Sequence, residues 1–284
     1  MAEELSPVIV GVDGSEPSRV ALRWAAEEAV RRGRPLRIVH ALDPWAEAPF
    51  YPVAMTTEIL QQVGGAILEQ AVGDVRGREP RPPVTTALLA EPASVALRGQ
   101  AEEAYEVVVG HRGRGGFASL LLGSVSLRTA GYASVPVVVV RDGDRPEQRE
   151  IVVGIDLSRH SAAALRYAFD AAAVREALVR VVYAWCPPEG RYAVLDVGEL
   201  AEAAHREAHR IVAPWRERYP GIAVTEDSPR EHPVKALVTA SANADLVVVT
   251  ARGHSGLRLG SVSHGLLHHA RCPVAVVPPG TEAG

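Results

Sequence analysis

Val8-Ile9-Val10-Gly11-Val12-Asp13-Gly14-Ser15, near the start of the chain, returns as Ile151-Val152-Val153-Gly154-Ile155-Asp156-Leu157-Ser158. Each copy is an apolar run of buried-strand length that stops at an acid and a turn. The echo continues in Val107-Val108-Val109 and Val247-Val248-Val249, and again in Gly123-Ser124-Val125-Ser126 and Gly260-Ser261-Val262-Ser263. Val8 and Ile151 lie 143 positions apart, and Gly123 and Gly260 lie 137 apart. So long a period excludes a solenoid and suits two α/β domains of ordinary size. The polar stretch from Asp142 to Glu150 separates the copies, so the domains are read as residues 1–142 and 150–284.

Within the first copy, the strand from Ser6 to Val12 leads through an N-cap at Ser15 and a first-turn Pro17 into a helix over Arg19 to Arg32. Gly33 stops it, and Leu36 to Ala41 reads as the second strand. Asp43 to Pro52 is irregular. Thr56 to Val75 is helical despite Gly64, Gly65 and Gly73, and Arg78 to Pro83 ends it. Val84 to Leu89, a helix over Ala93 to Ala104, Val107 to Gly110, a helix over Ser124 to Ala133, and Pro136 to Arg141 complete the half. Strands that alternate with helices predict a parallel, doubly wound sheet with its ligand at the carboxyl ends of the strands. Asp13 and Gly110 both fall at such ends, and they meet if the first and fourth strands are neighbours. In the second half, Asp227-Ser228-Pro229 reads as a turn after the third strand.

With 47% apolar and 23% charged residues, the chain of 284 is an ordinary globular sequence. A net charge of −4 and a pI near 6.2 offer no electrostatic case for nucleic acid or an anionic membrane. Cys186 and Cys272 are the whole cysteine complement, which argues against a disulfide framework and fits a reducing cytoplasm. There is no 18-residue apolar run and no basic-then-apolar leader at the N-terminus.

The stretch after Val109 carries the chemistry: Gly110-His111-Arg112-Gly113-Arg114-Gly115-Gly116-Phe117-Ala118-Ser119-Leu120-Leu121-Leu122-Gly123-Ser124-Val125-Ser126. A strand, glycines, two arginines and a Gly-Ser opening a helix bring backbone N–H groups, a helix dipole and positive charge together, as an anion site requires. Ser124 and Ser126 add hydroxyls, and arginine adds paired donors. A surface loop with a glycine turn and a serine cap fits the same composition. The stretch is neither a Walker A loop nor a G-x-G-x-x-G fingerprint.

The spacing of Gly110, Gly113 and Gly123-Ser124 resembles the nucleotide-binding signature of ATP-binding universal stress proteins, and the duplicated chain as a whole resembles a tandem member of that family. The resemblance implies an α/β fold of two tandem doubly wound domains, each with a five-stranded parallel sheet and flavodoxin-like layering of the adenine nucleotide alpha hydrolase-like kind. It implies that Val12 and Asp13 meet adenosine, with Ala41 beside the base and Gly110 bordering the ribose. Gly113, Gly123, Ser124, Val125 and Ser126 would surround the phosphates of ATP, with Mg²⁺, while Arg112 or Arg114 supplies charge. An exposed turn aspartate is the competing reading of Asp13. In the second half the counterparts are Asp156, Ala184, Gly253, Gly260, Ser261, Val262 and Ser263. Thr250 replaces the first glycine there, and six residues rather than nine separate Gly253 from Gly260. The first site is therefore expected to be the stronger.

His264, His268 and Cys272 recur every four residues and invite a metal reading, but their first-half counterparts are Leu127, Gly131 and Val135. Structural or surface histidines are the expectation, for these and for His205 and His209. No nucleophile elbow or dedicated base is visible, so catalysis is at most slow ATP hydrolysis. The place of the S-G-G-x-D-S loop of related ligases holds Gly11-Val12-Asp13-Gly14-Ser15. The apolar final strands, Val137 to Val140 and Val274 to Val277, would be a liability as bare edges, and the resemblance implies that they pair between the domains, with a homodimer as a further step; burial of each under its own helices is the competing reading. The resulting reading is a cytoplasmic, ATP-binding stress-response regulator acting through a protein partner. A protein-interaction scaffold without nucleotide, and a slow ATPase, are the alternatives.

Overall fold

In the computed structural model, residues 5–42, 57–114, 121–141, 146–186, 197–251 and 259–279 are described. Contacts divide the chain into two units, Met1–Gly143 and Asp144–Gly284. The elements of the first are β1 (Val8–Gly11), α1 (Glu16–Arg31), β2 (Leu36–Ala41), α2 (Thr57–Arg76), β3 (Val84–Leu89), α3 (Ala93–Gln100), β4 (Glu106–Gly110), α4 (Ser124–Tyr132) and β5 (Val137–Val140). A 3-10 turn, Ala101–Glu103, tightens the end of α3, where a longer helix was expected. In space the strands run β3-β2-β1-β4-β5, all parallel. The reversal of order therefore falls between β1 and β4, the place where a doubly wound sheet opens a crevice at its carboxyl edge.

The strands are short apolar runs because helices cover the sheet on both faces. Val8, Ile9, Val10, Val107, Val108 and Val137 to Val139 are fully buried. Helices α1 and α2 pack together, as do α3 and α4. Helix α1 starts as the sequence requires: the Ser15 hydroxyl accepts from Ser18 N–H at 3.3 Å, and Pro17 occupies the first turn. Gly33, at φ +61°, turns the chain out of it.

The second unit repeats this order with β6 (Glu150–Gly154), α5 (Ser161–Ala173), β7 (Leu178–Val182), α6 (Val197–Arg218), β8 (Val224–Asp227), α7 (Pro233–Ala240), β9 (Leu246–Thr250), α8 (Ser261–His269) and β10 (Val274–Val277). Its strands run β8-β7-β6-β9-β10, again parallel. Asp227 is not in a turn. It is the last residue of β8, and Arg180 of β7 holds it through Nε and Nη2 at 2.5 Å. An acid is tolerated in that outer strand because its charge is paired across the ladder. The irregular segment read at Asp43 to Pro52 lies outside the described residues.

Candidate functional site at the carboxyl edge

Strand β1 ends in a turn built around one carboxylate. Asp13 Oδ1 accepts from Ser15 N–H at 2.9 Å and from the Ser15 hydroxyl at 2.6 Å. The Asp13 amide donates to Ser18 Oγ at 3.3 Å, and Ser18 Oγ–H donates to the Ser15 carbonyl at 2.9 Å. Ser18, only 4% exposed, was not among the residues read from the sequence, although Asp-x4-Ser recurs as Asp156 and Ser161 and was there to be found. In the second unit Ser158 N–H and Ser161 Oγ each lie 3.0 Å from Asp156 Oδ1, and the Asp156 amide donates to Ser161 Oγ at 3.3 Å.

Asp13 and the glycine loop are brought together. Arg114 N–H donates to Asp13 Oδ2 at 2.8 Å, across 101 positions of sequence. A Cβ on Gly113 would lie 2.5 Å from that same Oδ2, so only glycine permits the approach. Gly110 closes β4 for a comparable reason: a Cβ there would stand 2.6 Å from the Pro17 carbonyl oxygen at the start of α1. The far end of the loop returns to the strand through Gly123 N–H to the His111 carbonyl at 2.8 Å. Arg112 Nε donates to His111 Nε2 at 3.0 Å, which sets the guanidinium against a buried imidazole.

Helix α4 then begins with Gly123 as its N-cap, without a side-chain cap and without an acid in the first turn. Its first N–H groups have no intrahelical acceptor, and the dipole favours an anion there. Ser124 is exposed and Val125 half-buried at this end. Ser126 is different: it is 3% exposed and its hydroxyl donates to the Gly110 carbonyl at 2.7 Å. That proton is committed to holding α4 on β4.

Val12 is anchored on both sides, its N–H donating to the Val39 carbonyl at 2.9 Å and its carbonyl lying 2.7 Å from His40 Nδ1. His40 is a second residue the sequence reading passed over, one of two polar residues, with Arg37, in the otherwise apolar strand β2. Ala41 is the last residue of β2 and half-buried. Val12 also helps to line a cleft between α1 and α2, together with Gly14, Leu22, Ile67, Ala71 and Asp74.

In the second unit Gly260 N–H returns to the Ala251 carbonyl at 2.7 Å and the Ser263 hydroxyl donates to the Thr250 carbonyl at 2.6 Å, repeating the α4 anchor at α8. Ser261 is exposed and Val262 half-buried, like their counterparts. Gly253 lies outside the described residues. Ala184 lies two residues past the end of β7 and is half-buried. Tyr183 stands where the first unit has His40, and burial, together with the Asp156 carboxylate, raises its phenol above the ordinary tyrosine value. The two sites thus share their helix end and differ in their wall.

Among the described residues no group of three histidine, cysteine or acidic side chains is placed to hold a metal ion. The His264 and His268 rings do meet on α8, with centroids 4.7 Å apart and planes tilted by 48°, and His209 lies 3.2 Å from Glu226. No helix among the described residues is long and apolar enough to cross a membrane.

The family model described as Universal stress protein family matches residues 4–141 and again 148–278. The chain belongs to the universal stress protein family. It is a tandem member, and its similarity to curated universal stress proteins runs nearly end to end. It is 34% identical to Universal stress protein Rv2623 of Mycobacterium tuberculosis over 284 residues, 95% of each chain. It is 36% identical over 286 residues to Universal stress protein Rv2005c of the same organism, covering 95% of this chain and 96% of that one. In fold it resembles a crystal structure of a universal stress protein from Archaeoglobus fulgidus, at TM-score 0.72, 18% identity and 98% coverage of both chains. A universal stress protein from Archaeoglobus fulgidus, solved in complex with dAMP, is 26% identical over 48% of this chain and 98% of its own, at TM-score 0.37.

Proposed function

We propose that this universal stress protein is an ATP-binding regulatory protein of the cytoplasm, with the stronger site in the first unit, and that nucleotide occupancy changes its conformation or its choice of protein partner. The observation that carries this reading is the convergence, at the switch between β1 and β4, of Asp13, the Arg112-Gly113-Arg114 loop and the uncapped start of α4. The chemistry of that group fits a nucleotide. The N–H groups of Ser124, Val125 and Ser126 and the guanidinium groups of Arg112 and Arg114 would take phosphates, with Mg²⁺ offsetting the remaining charge. Asp13 has acceptor capacity for a ribose hydroxyl, and the neighbourhood of Val12 and Ala41 would take the base. Pairing of the two final strands stays part of this reading, supported by Val137 to Val140 and Val274 to Val277 being apolar throughout.

One observation favours the scaffold alternative. Asp13, Ser15, Ser18, His40 and Ser126 all have protein partners, so the turn and the loop anchors are complete without a ligand. Calorimetric titration of nucleotide-stripped protein with ATP and Mg²⁺ separates the two readings. Binding at one strong site per chain, lost in Gly123→Val, supports the nucleotide reading. Gly123 suits this test because its backbone, at φ −79° and ψ 150°, accepts any residue, and the nearest atoms to an added Cβ stand 3.5 Å away. Absence of binding by folded wild-type protein gives preference to the scaffold.

A further inference from the structure

Asp13 does two jobs with one carboxylate. Ser15 holds Oδ1 with two hydrogen bonds, at 2.9 and 2.6 Å, and this fixes the plane of the group. Oδ2 is thereby aimed at the loop after β4, where it accepts Arg114 N–H at 2.8 Å against the bare backbone of Gly113. We propose that Asp13 is a positioning residue: it pins Arg112-Gly113-Arg114 to the end of β1, and so sets the affinity of the first unit for the phosphate part of a nucleotide. This deepens the reading above and rests on it for the ligand, though not for the pinning.

A backbone N–H donating to a carboxylate is charge-assisted and stronger than a neutral hydrogen bond. The contact closes a loop between positions 13 and 114, and glycine at 113 is what leaves room for it. Two further anchors, Gly123 N–H on the His111 carbonyl and Arg112 Nε on His111, tie the loop to its own strand. Asp13 ties it to the neighbouring one.

The sign of the effect is diagnostic. A negative charge beside a phosphate loop repels the ligand, so a carboxylate that did nothing else would, on removal, leave ATP bound more tightly. If Asp13 only touched adenosine, its removal would weaken adenosine and ATP by the same factor. If it positions the loop, ATP suffers more.

The experiment uses the full chain and three variants, Asp13→Ala, Asp13→Asn and Ser15→Ala, each checked for folding by circular dichroism. Hydrogen exchange of the segment 111–114 is measured without nucleotide, and adenosine and ATP with Mg²⁺ are titrated separately. Faster exchange at 111–114 in Asp13→Ala is expected, partly restored in Asp13→Asn, whose amide oxygen still accepts, and intermediate in Ser15→Ala, which loses the aim. ATP affinity should fall about tenfold more than adenosine affinity in Asp13→Ala, equivalent to about 1.4 kcal/mol. Wild-type exchange in Asp13→Ala overturns the pinning. Equal losses for the two ligands, or tighter ATP, overturn the positioning role. If the wild type binds neither ligand, the nucleotide reading fails and the positioning of phosphate fails with it, while exchange still decides the pinning.

Discussion

At the residue scale, polar side chains here are defined by what already holds them. Ser124 and Ser126 read alike in sequence, yet one is exposed and the other spends its proton on Gly110. The same scale yields a pH dependence at Tyr219. Its hydroxyl donates to Asp170 Oδ1 at 2.6 Å, and its ring lies 5.2 Å from Phe169. Partial burial, then the bond to Asp170 and its negative charge, raise the phenol above its ordinary value, against a smaller opposing pull from Arg218 and Arg166. A tyrosine whose folded value is raised contributes stability that is complete below its unfolded value, about pH 10, and is lost as pH rises through the folded value. Urea midpoints followed from about pH 9 to 11 should therefore fall less steeply in Tyr219→Phe than in wild type. The slope that remains belongs in part to Tyr183, which is shifted in the same direction.

At the scale of the element, the three glycines of α2 look equally harmful to a helix and are not. An added Cβ at Gly73 or Gly65 meets nothing within 4 Å, whereas at Gly64 it would lie 2.7 Å from Leu88 Cδ1 and 2.8 Å from Leu42 Cδ2. Gly64 is thus the point at which α2 closes on the sheet. Gly73→Ala should raise stability by about 0.5–1 kcal/mol, the ordinary helix gain. Gly64→Ala should lose about 1 kcal/mol net, because overpacking exceeds that gain. Chemical denaturation of the two variants checks both signs. The elements themselves were largely legible, since Leu36–Ala41 and Val84–Leu89 have the bounds that apolar runs and breakers indicate. The misreading of Asp227 arose because an acid next to Ser-Pro signals a turn locally, while Arg180 on the preceding strand, 47 residues earlier, pairs its charge at a strand end.

At the scale of the whole molecule, the repeat is an unequal one. Both units anchor their last helix by the same serine-to-carbonyl bond, but His40 faces Tyr183 in the correspondence, and the second loop is three residues shorter. Nucleotide should therefore protect the units unequally. At ligand concentrations about 100 times the dissociation constant, the binding unit gains about 2.7 kcal/mol against unfolding. Hydrogen exchange with ATP and Mg²⁺ should slow most in the strands of residues 8–11 and 106–110, and least in 150–154 and 246–250. Equal slowing in both units would show that the second site is as good as the first.

Sequence by itself determined the duplication, the alternation of strand and helix, and the place of the glycine loop after the fourth strand. These are local or periodic properties: apolar runs need burial, glycine and proline break helices, and a repeat is visible without folding. It also marked Gly113 and Asp13, but not that they touch. Tertiary structure decided that β1 and β4 are neighbours, that Asp13 Oδ2 reaches Arg114, and that Ser126 serves its own strand. Each of these joins groups distant along the chain, and only the order of strands in the sheet brings them within hydrogen-bond reach.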